Sequence, residues 1–188
     1  MIGEIEARKL CEQVLKRCQG AEAELILIIT DSALTRFANN IIHQNVAERD
    51  AQVSLRYFIG KQSGSAITNR TDAVGLDELA RRARANAQAS PPDPDYPGLP
   101  QPASYTAVPA FHQPTADTTP EQRARAAGVV CRLAVEKGLN DSGAFSTGYS
   151  ELAIANTSGV FAYHVSTQAD VQTVVMSADS SGRSHGSA

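Results

Sequence analysis

The amino-acid sequence predicts an α+β fold in which an antiparallel meander of strands is combined with about three helices. Apolar residues recur with helical spacing in separate segments, and runs with strand-like alternation lie between those segments. The predicted strands follow one another through turns that are too short for a parallel crossover. Strands that are neighbours in sequence are therefore expected to pair antiparallel.

Residues 1–90 are predicted to form a helix, the meander and a second helix. The first helix covers residues 2–19 and ends at Gly20, a residue type that favours the conformation found just after helices. Strands are expected at residues 24–30, 50–59 and 63–68. From Asp72 the spacing is helical again, and two pairs on that helix are spaced for i,i+4 ion pairs: Asp77 with Arg81, and Glu78 with Arg82.

The middle of the chain, residues 91–118, is predicted to be an extended crossing segment whose aromatic residues dock on the fold. All nine prolines lie between Pro91 and Pro120, and the segment has neither helical nor strand periodicity. This segment is the boundary between the two halves of the predicted domain.

Residues 119–188 are predicted to complete the same amino-terminal domain. A helix begins after Thr118 or Thr119 as its cap, has Pro120 in its first turn and ends at Gly138. Strands are then expected at residues 149–156, 160–167 and 171–178. The last residues, SADSSGRSHGSA, are typical of a small-residue loop, and we expect the chain to be truncated there.

Composition argues against nucleic-acid and membrane partners. The formal net charge is −3, whereas a nucleic-acid backbone is bound through an excess of Lys and Arg. The longest apolar run, Leu25–Ile29, is far shorter than the roughly 20 residues of a membrane-spanning helix. No secretory signal precedes the first helix, so we expect a soluble, cytoplasmic protein. Cys11, Cys18 and Cys131 form no CxxC pair and are expected to be small core residues.

A hairpin is predicted in the stretch LTRFANNIIHQN, residues 34–45. Asn39 and Asn40 tolerate the positive φ angles of a two-residue turn. That turn would pair Phe37 with Ile42 on one face and Arg36 with His43 on the other.

The polar face of this hairpin is the candidate site. Its residues are Arg36, Asn39, His43 and Gln44. One interpretation is a polar surface that meets solvent or a neighbouring domain. The other is contact with a partner or an extended peptide, since Arg offers a rigid fork of donors and the amides offer both donors and acceptors.

No catalytic or metal site is predicted in the sequence. The four histidines stand in no HExxH or HExxxH motif, and metal sites need three or four convergent ligands. The GxSxG motif of serine hydrolases and the phosphate-binding loop are missing as well. A small hydrolase would be possible only if Ser184, His185 and an acid converged in space.

Three stretches resemble the amino-terminal domain of the TldD/PmbA family, whose members are often called modulators of DNA gyrase. They are LTRFANNIIHQN, then GSAITNRTDAVGLDELARRARANAQASPPDPDYPGLP, and YSELAIANTSGVFAYHVST. The resemblance extends over nearly the whole chain. Within it, SPPDPDYPGLP and GSAITN look more like the PmbA-type branch, which generally lacks metal ligands, than like the TldD-type.

The resemblance implies a dimeric peptidase system that processes or degrades peptides and small unfolded proteins. The catalytic branch of the family binds zinc through an HExxxH helix and a further Cys, in a region beyond this domain. No position of this chain matches those ligands, because Cys131 lies on a helix before that region.

Two functions remain open at this point. The chain is expected to be a non-catalytic domain, inactive alone and without a cofactor, that supports assembly with itself or with a paralogue or guides peptides. The alternative is a self-contained peptide-binding or scaffold domain whose exposed sheet edge captures extended chains by strand addition.

Overall fold

The computed structural model describes residues 1–188, which form four helices and six strands. The helices are α1 (Gly3–Lys16), α2 (Ala73–Ala89), α3 (Gln113–Ala116) and α4 (Pro120–Glu136). The strands are β1 (Glu22–Ala38), β2 (Ile41–Ile59), β3 (Gln62–Thr68), β4 (Leu139–Asn156), β5 (Phe161–Ser177) and β6 (Arg183–Ser187). The predicted α+β class is confirmed.

The strands form a single antiparallel sheet in the order β3-β2-β1-β4-β5-β6. Two meanders, β1 to β3 and β4 to β6, therefore meet along β1 and β4. Several strands are much longer than the sequence periodicity indicated. The predicted segments 160–167 and 171–178, for example, are parts of β5, because the polar residues between them continue the extended backbone.

Local sequence signals explain where the helices begin. Asp72 caps α2 by accepting a hydrogen bond from the backbone N–H of Gly75 at 2.8 Å. At α4, the Thr119 side chain accepts from the N–H of Gln122, whose own side chain accepts from the N–H of Thr119 at 2.7 Å. This reciprocal capping box leaves Pro120 in the first turn, where a missing N–H costs nothing.

The chain divides into two compact units, each drawn from three separate stretches of sequence. The first consists of Met1–Ile29, Asp50–Pro109 and Ser150–Val165. Its core is formed by α1, α2 and the strands beneath them, and its largest fully buried side chains include Leu25, Leu27, Leu55, Leu76 and Leu79.

Cys11 of α1 and Cys18, just after that helix, are core residues of the first unit, as predicted. Ala7, Cys11, Val14 and Cys18 are buried, and burial raises the pKa of both the Cys11 and the Cys18 thiol to about 11. Such thiols stay protonated at neutral pH and behave as small apolar residues.

Aromatic residues of the proline-rich segment pack within the first unit, as expected, but the short helix α3 interrupts the extended backbone that was predicted for residues 91–118. Tyr96 stacks on Phe58 with ring centroids 4.4 Å apart. Its hydroxyl donates to Glu22, and burial together with that carboxylate raises the pKa of Tyr96 to about 12. The hydroxyl of Tyr105 accepts from the N–H of Tyr163.

The second unit consists of Thr30–Arg49, Ala110–Tyr149 and Ser166–Ala188. Its small core joins Phe37 of β1 to Ala127 and Cys131 of α4, and Ile42 packs against that cluster. A Cβ added at Gly143 would lie 2.8 Å from the Phe37 ring and 2.1 Å from the carbonyl of Gln172. Glycine at this position therefore lets β4 approach its neighbours closely.

Two sequence predictions on the second half of the chain are wrong. Residues 139–148 belong to β4, although their small polar residues gave no strand signal. The predicted terminal loop contains β6, which pairs antiparallel with β5 from Gln172 opposite Ser187 to Met176 opposite Arg183. Small residues are poor strand formers, and a neighbouring strand overrides that preference here.

The two predicted i,i+4 ion pairs of α2 are also replaced by other partners. Asp77 pairs with Arg17 at 2.6 Å, and Glu78 pairs with Arg81 at 2.6 Å. The Asp77 contact joins residues 60 positions apart, which helical spacing cannot predict.

Candidate functional site

The β1–β2 hairpin turns at Asn39 and Asn40, as predicted. Both residues have positive φ, 51° and 64°, which is the backbone of a two-residue hairpin turn. Asn40 also holds the turn against β4, because its side chain donates to the carbonyl of Leu139 at 2.9 Å and accepts from the N–H of Asp141 at 2.8 Å.

The pairing beyond this turn differs from the prediction by one residue. Phe37 and Ile42 pack on one face, as predicted, and the cluster there also includes Ala127 and Cys131 of α4. The Thr35 hydroxyl, however, donates to the side chain of Asn45 at 2.5 Å. Thr35 lies two residues before Phe37, whereas Asn45 lies three residues after Ile42. Side chains alternate between faces along a strand, so an extra residue must lie between Ile42 and Asn45.

This one-residue bulge changes the polar face of the hairpin. The Arg36 guanidinium donates to Oε1 of Gln44 at 3.1 Å, and not to His43 as predicted. In a bulge, two residues of one strand face one residue of the other, so His43 and Gln44 together lie opposite Arg36. The hydrogen bond of Arg36 goes to Gln44, and its contact with His43 stays a prediction.

The four predicted site residues are all exposed, and they do not converge. Arg36 and Gln44 contact each other, Asn39 lies in the turn, and its N–H donates to the Ser142 hydroxyl at 3.4 Å. His43 makes no side-chain hydrogen bond. A role for these residues in peptide or partner contact stays a prediction.

A pocket beside the hairpin tip was missed by the sequence reasoning. It has a volume of about 540 Å³ and lies between the tip and α4. Its lining residues are Asn40, Ile41, Ile42, Gly128, Cys131, Arg132, Val135 and Glu136. The apolar pair Ile41-Ile42 beside the turn indicates an apolar surface there. The sequence does not show that α4 lies next to this pair.

Burial disfavours the thiolate form of Cys131, one of the residues that line this pocket. Cys131 is buried, and burial followed by the nearby Asp141 carboxylate raises its pKa. The first carboxylate oxygen of Asp141 accepts from the Thr173 hydroxyl, and its second has no protein partner. A thiol next to an anion is disfavoured as a nucleophile.

The edge of β2 next to this pocket is unpaired. β3 pairs with β2 only from Val53 to Ile59. On the side away from β1, residues 41–49 of β2 therefore have no neighbouring strand. All nine except Ile42 are exposed. Unpaired backbone N–H and C=O groups on a strand edge can bind another extended chain.

The remaining candidates for chemistry do not form sites. No group of three or more His, Cys, Asp or Glu side chains is arranged to hold a metal ion. Ser184 and His185 are consecutive residues of β6, so their side chains point to opposite faces of the sheet and cannot act as one catalytic pair.

No helix is both long and apolar enough to cross a membrane.

One stretch of the chain matches the model of a known protein family. Residues 23–87 match the model described as PmbA/TldA metallopeptidase domain 1. No curated protein sequence matches the chain.

Three solved structures share the fold. TldE from Thermococcus kodakarensis is 18% identical with a TM-score of 0.83, over 96% of this chain and 42% of that one. A candidate modulator of DNA gyrase from Thermotoga maritima is 13% identical with a TM-score of 0.78, over 96% of this chain and 42% of that one. Another candidate modulator, from Bacteroides thetaiotaomicron, is 17% identical with a TM-score of 0.80, over 100% of this chain and 44% of that one.

This chain thus spans less than half the length of each of these proteins. Residues 23–87 are thus similar to the first domain of the PmbA/TldA metallopeptidase family, and the whole chain has the fold of these three structures.

Proposed function

We propose that this chain is a non-catalytic domain of a TldD/PmbA-type peptidase system, in which it supports assembly or guides extended peptides. The observation that carries the proposal is the match of residues 23–87 to the first domain of a metallopeptidase family. The chain has no HExxxH motif, and its residues offer no set of metal ligands. We expect zinc chemistry in other parts of the system.

The proposed partners are a second copy of the chain or a TldD/PmbA-type paralogue, and the proposed substrate is an extended peptide or an unfolded protein. The proposed location is the cytoplasm. The PmbA-type branch is favoured by SPPDPDYPGLP and GSAITN. Two of the structural relatives are described as modulators of DNA gyrase, and no residue of this chain carries an argument for that role.

A second candidate function is peptide capture by the chain alone. The unpaired edge of β2 over residues 41–49 supports it, because such an edge offers backbone hydrogen bonds to any extended chain. Assembly and peptide capture make different demands. The first needs a protein partner, whereas the second needs only the 188-residue chain.

Analytical ultracentrifugation and a peptidase assay together test the proposal. The 188-residue chain is sedimented alone and with a zinc-containing TldD-type paralogue, and both samples are given a fluorescent peptide. We expect association with the paralogue, and peptide cleavage only where the paralogue is present. Zinc-dependent cleavage by the chain alone would refute the non-catalytic assignment, and peptide binding without association would favour the second candidate.

A further inference from the structure

We propose that a cavity in the first unit binds a small zwitterion, either a free α-amino acid or a dipeptide. The cavity has a volume of about 540 Å³ and lies between α2, the start of β1 and the end of β2. Sites for small ligands commonly have volumes of about 300–1,000 Å³. The inference goes beyond the proposed function, because a small-molecule site in this unit requires neither assembly nor an extended peptide.

The hydroxyl of Tyr57 is the observation that points to a ligand. Tyr57 lines the cavity and is 7% exposed, yet its hydroxyl makes no hydrogen bond within the protein. A buried tyrosine hydroxyl usually has a polar partner, because removing it from water without one is unfavourable. A ligand in the cavity can accept the hydrogen bond that the protein leaves unmade.

Two further donors lie one helical turn apart on α2. Arg84 and Gln88 both line the cavity, and residues spaced i,i+4 are neighbours on a helix surface. The Arg84 guanidinium has no ion pair in the protein, whereas Arg81 on the same helix pairs with Glu78. A guanidinium binds a carboxylate through two parallel hydrogen bonds. Together with the Gln88 amide and the Tyr57 hydroxyl, Arg84 therefore offers donors for a carboxylate group.

Glu22 gives the same cavity an acceptor for a cation. Its Oε2 accepts a hydrogen bond from the Tyr96 hydroxyl at 3.2 Å, and its Oε1 accepts none. Glu22 and Arg84 are the two charged residues of the lining, and they form no ion pair with each other. An ion of one sign would be attracted by one of them and repelled by the other. A molecule with both an ammonium and a carboxylate group satisfies both.

The remaining side chains of the lining favour an apolar ligand side chain. Phe58 is 3% exposed, and Ile59 packs against the core of the first unit. Both line the cavity, so an aliphatic group of the ligand can pack there and lose contact with water. Leucine and the dipeptide Leu-Leu combine such a group with an ammonium and a carboxylate.

Isothermal titration calorimetry on the 188-residue chain tests the inference. The probes are leucine and Leu-Leu, with N-acetyl-Leu-Leu and Leu-Leu amide as matched forms that lack the ammonium or the carboxylate. We expect saturable binding of Leu-Leu, and binding weaker by about tenfold or more for each capped form, because each cap removes one charge-assisted contact. The tighter of leucine and Leu-Leu identifies the source of the zwitterion.

Protein variants locate the site. Arg84→Gln should weaken binding of Leu-Leu by about tenfold, whereas Arg82→Gln, an exposed arginine of α2 outside the cavity, should change it less than about twofold. Glu22→Gln should remove most of the preference for Leu-Leu over its N-acetyl form. Tyr57→Phe should weaken binding but leave the urea midpoint of the ligand-free protein unchanged, because no hydrogen bond within the protein is lost.

The results that would overturn the inference are equally specific. They are the absence of binding by both leucine and Leu-Leu at millimolar concentration, equal binding of the free and capped dipeptides, or equal effects of Arg84→Gln and Arg82→Gln. None of these results changes the association with a paralogue, so the proposed function is tested separately.

Discussion

The carboxylate of Glu151 in β4 accepts a 2.7 Å hydrogen bond from the backbone N–H of Gly3, at the first turn of α1. It also accepts from the N–H of Ile2 at 2.8 Å and from the Tyr163 hydroxyl at 2.7 Å. No side chain of α1 caps its own N-terminus. A strand residue that is 1% exposed thus supplies the cap from 148 positions away.

Replacing Glu151 by Gln should destabilise the protein by about 1.5–3 kcal/mol, because hydrogen bonds to a charged acceptor are lost. Urea unfolding at pH 7 measures this loss. Tyr163→Phe removes one donor only and should cost about 1 kcal/mol. Equal stability of wild type and Glu151→Gln would contradict the capping role.

The contribution of Glu151 should depend on pH. Burial alone would raise its pKa, but the hydrogen bonds from Tyr163, Gly3 and Ile2 outweigh burial and hold the pKa below the ordinary value. A lowered folded-state pKa means that the stabilisation is complete above the unfolded-state pKa of about 4.3 and is lost as the pH falls through the folded-state pKa. The difference in unfolding free energy between wild type and Glu151→Gln should shrink between pH 5 and acid pH, and a constant difference would contradict it.

Asn39 and Asn40 should respond differently to glycine. Both have positive φ, which glycine adopts freely, so Asn39→Gly should change stability by less than about 0.5 kcal/mol. Asn40→Gly removes the bonds to Leu139 and Asp141 and should cost about 1–2 kcal/mol in thermal or urea unfolding. A larger effect at Asn39 than at Asn40 would show that the turn is not held against β4.

Gly64→Ala should destabilise the first unit strongly. A Cβ at Gly64 of β3 would lie 2.0 Å from the backbone nitrogen of Ala87 and 2.5 Å from the carbonyl of Ala83, so α2 would have to move off the strand. Overpacking of this kind costs about 1–3 kcal/mol or more. Gly128→Ala is the matched control, because it has room and should stabilise α4 by up to about 1 kcal/mol.

Arg123 is a buried cation that forms no ion pair with a carboxylate. The stability of the protein should therefore depend on the neutral oxygen atoms that accept hydrogen bonds from it. It is 2% exposed, burial lowers its pKa, and its Nε has no protein partner. Nη1 donates to the Thr118 carbonyl at 2.8 Å and to the Thr147 hydroxyl at 3.1 Å. Thr147→Val should therefore cost about 1–3 kcal/mol, since it leaves a buried guanidinium with one acceptor fewer.

Thr147→Ser, which keeps the hydroxyl, is the control for this prediction. It should retain most of the stability that Thr147→Val loses. If both variants unfold at the same urea concentration, the hydroxyl contact with Arg123 contributes nothing measurable.

The sequence predicts features whose physical cause is local. The Thr119 cap of α4 and the Asn39-Asn40 turn depend on residues within four positions of each other, and both are confirmed. The cap that Glu151 provides depends on a strand more than a hundred residues away, and no local pattern encodes it.

The candidate site could be predicted only in part, for the same reason. The turn residues predict the hairpin, but Thr35 and Arg36 donate to Asn45 and Gln44, each one residue further along β2 than the turn alone predicts. The pocket forms only because α4 lies beside Ile41, and no local sequence pattern indicates that these two segments are neighbours in the fold.

Mass spectrometry of a peptide incubated with the 188-residue chain, with and without zinc, tests the central claim most directly. The probe is the nonapeptide KTVTLTVTK with acetylated and amidated ends, and its retention on the immobilised chain is measured in the same sample. We predict that the peptide is retained by the chain and recovered intact under both conditions. Cleavage products that form in the presence of zinc and disappear with a chelator would contradict the assignment of a non-catalytic domain.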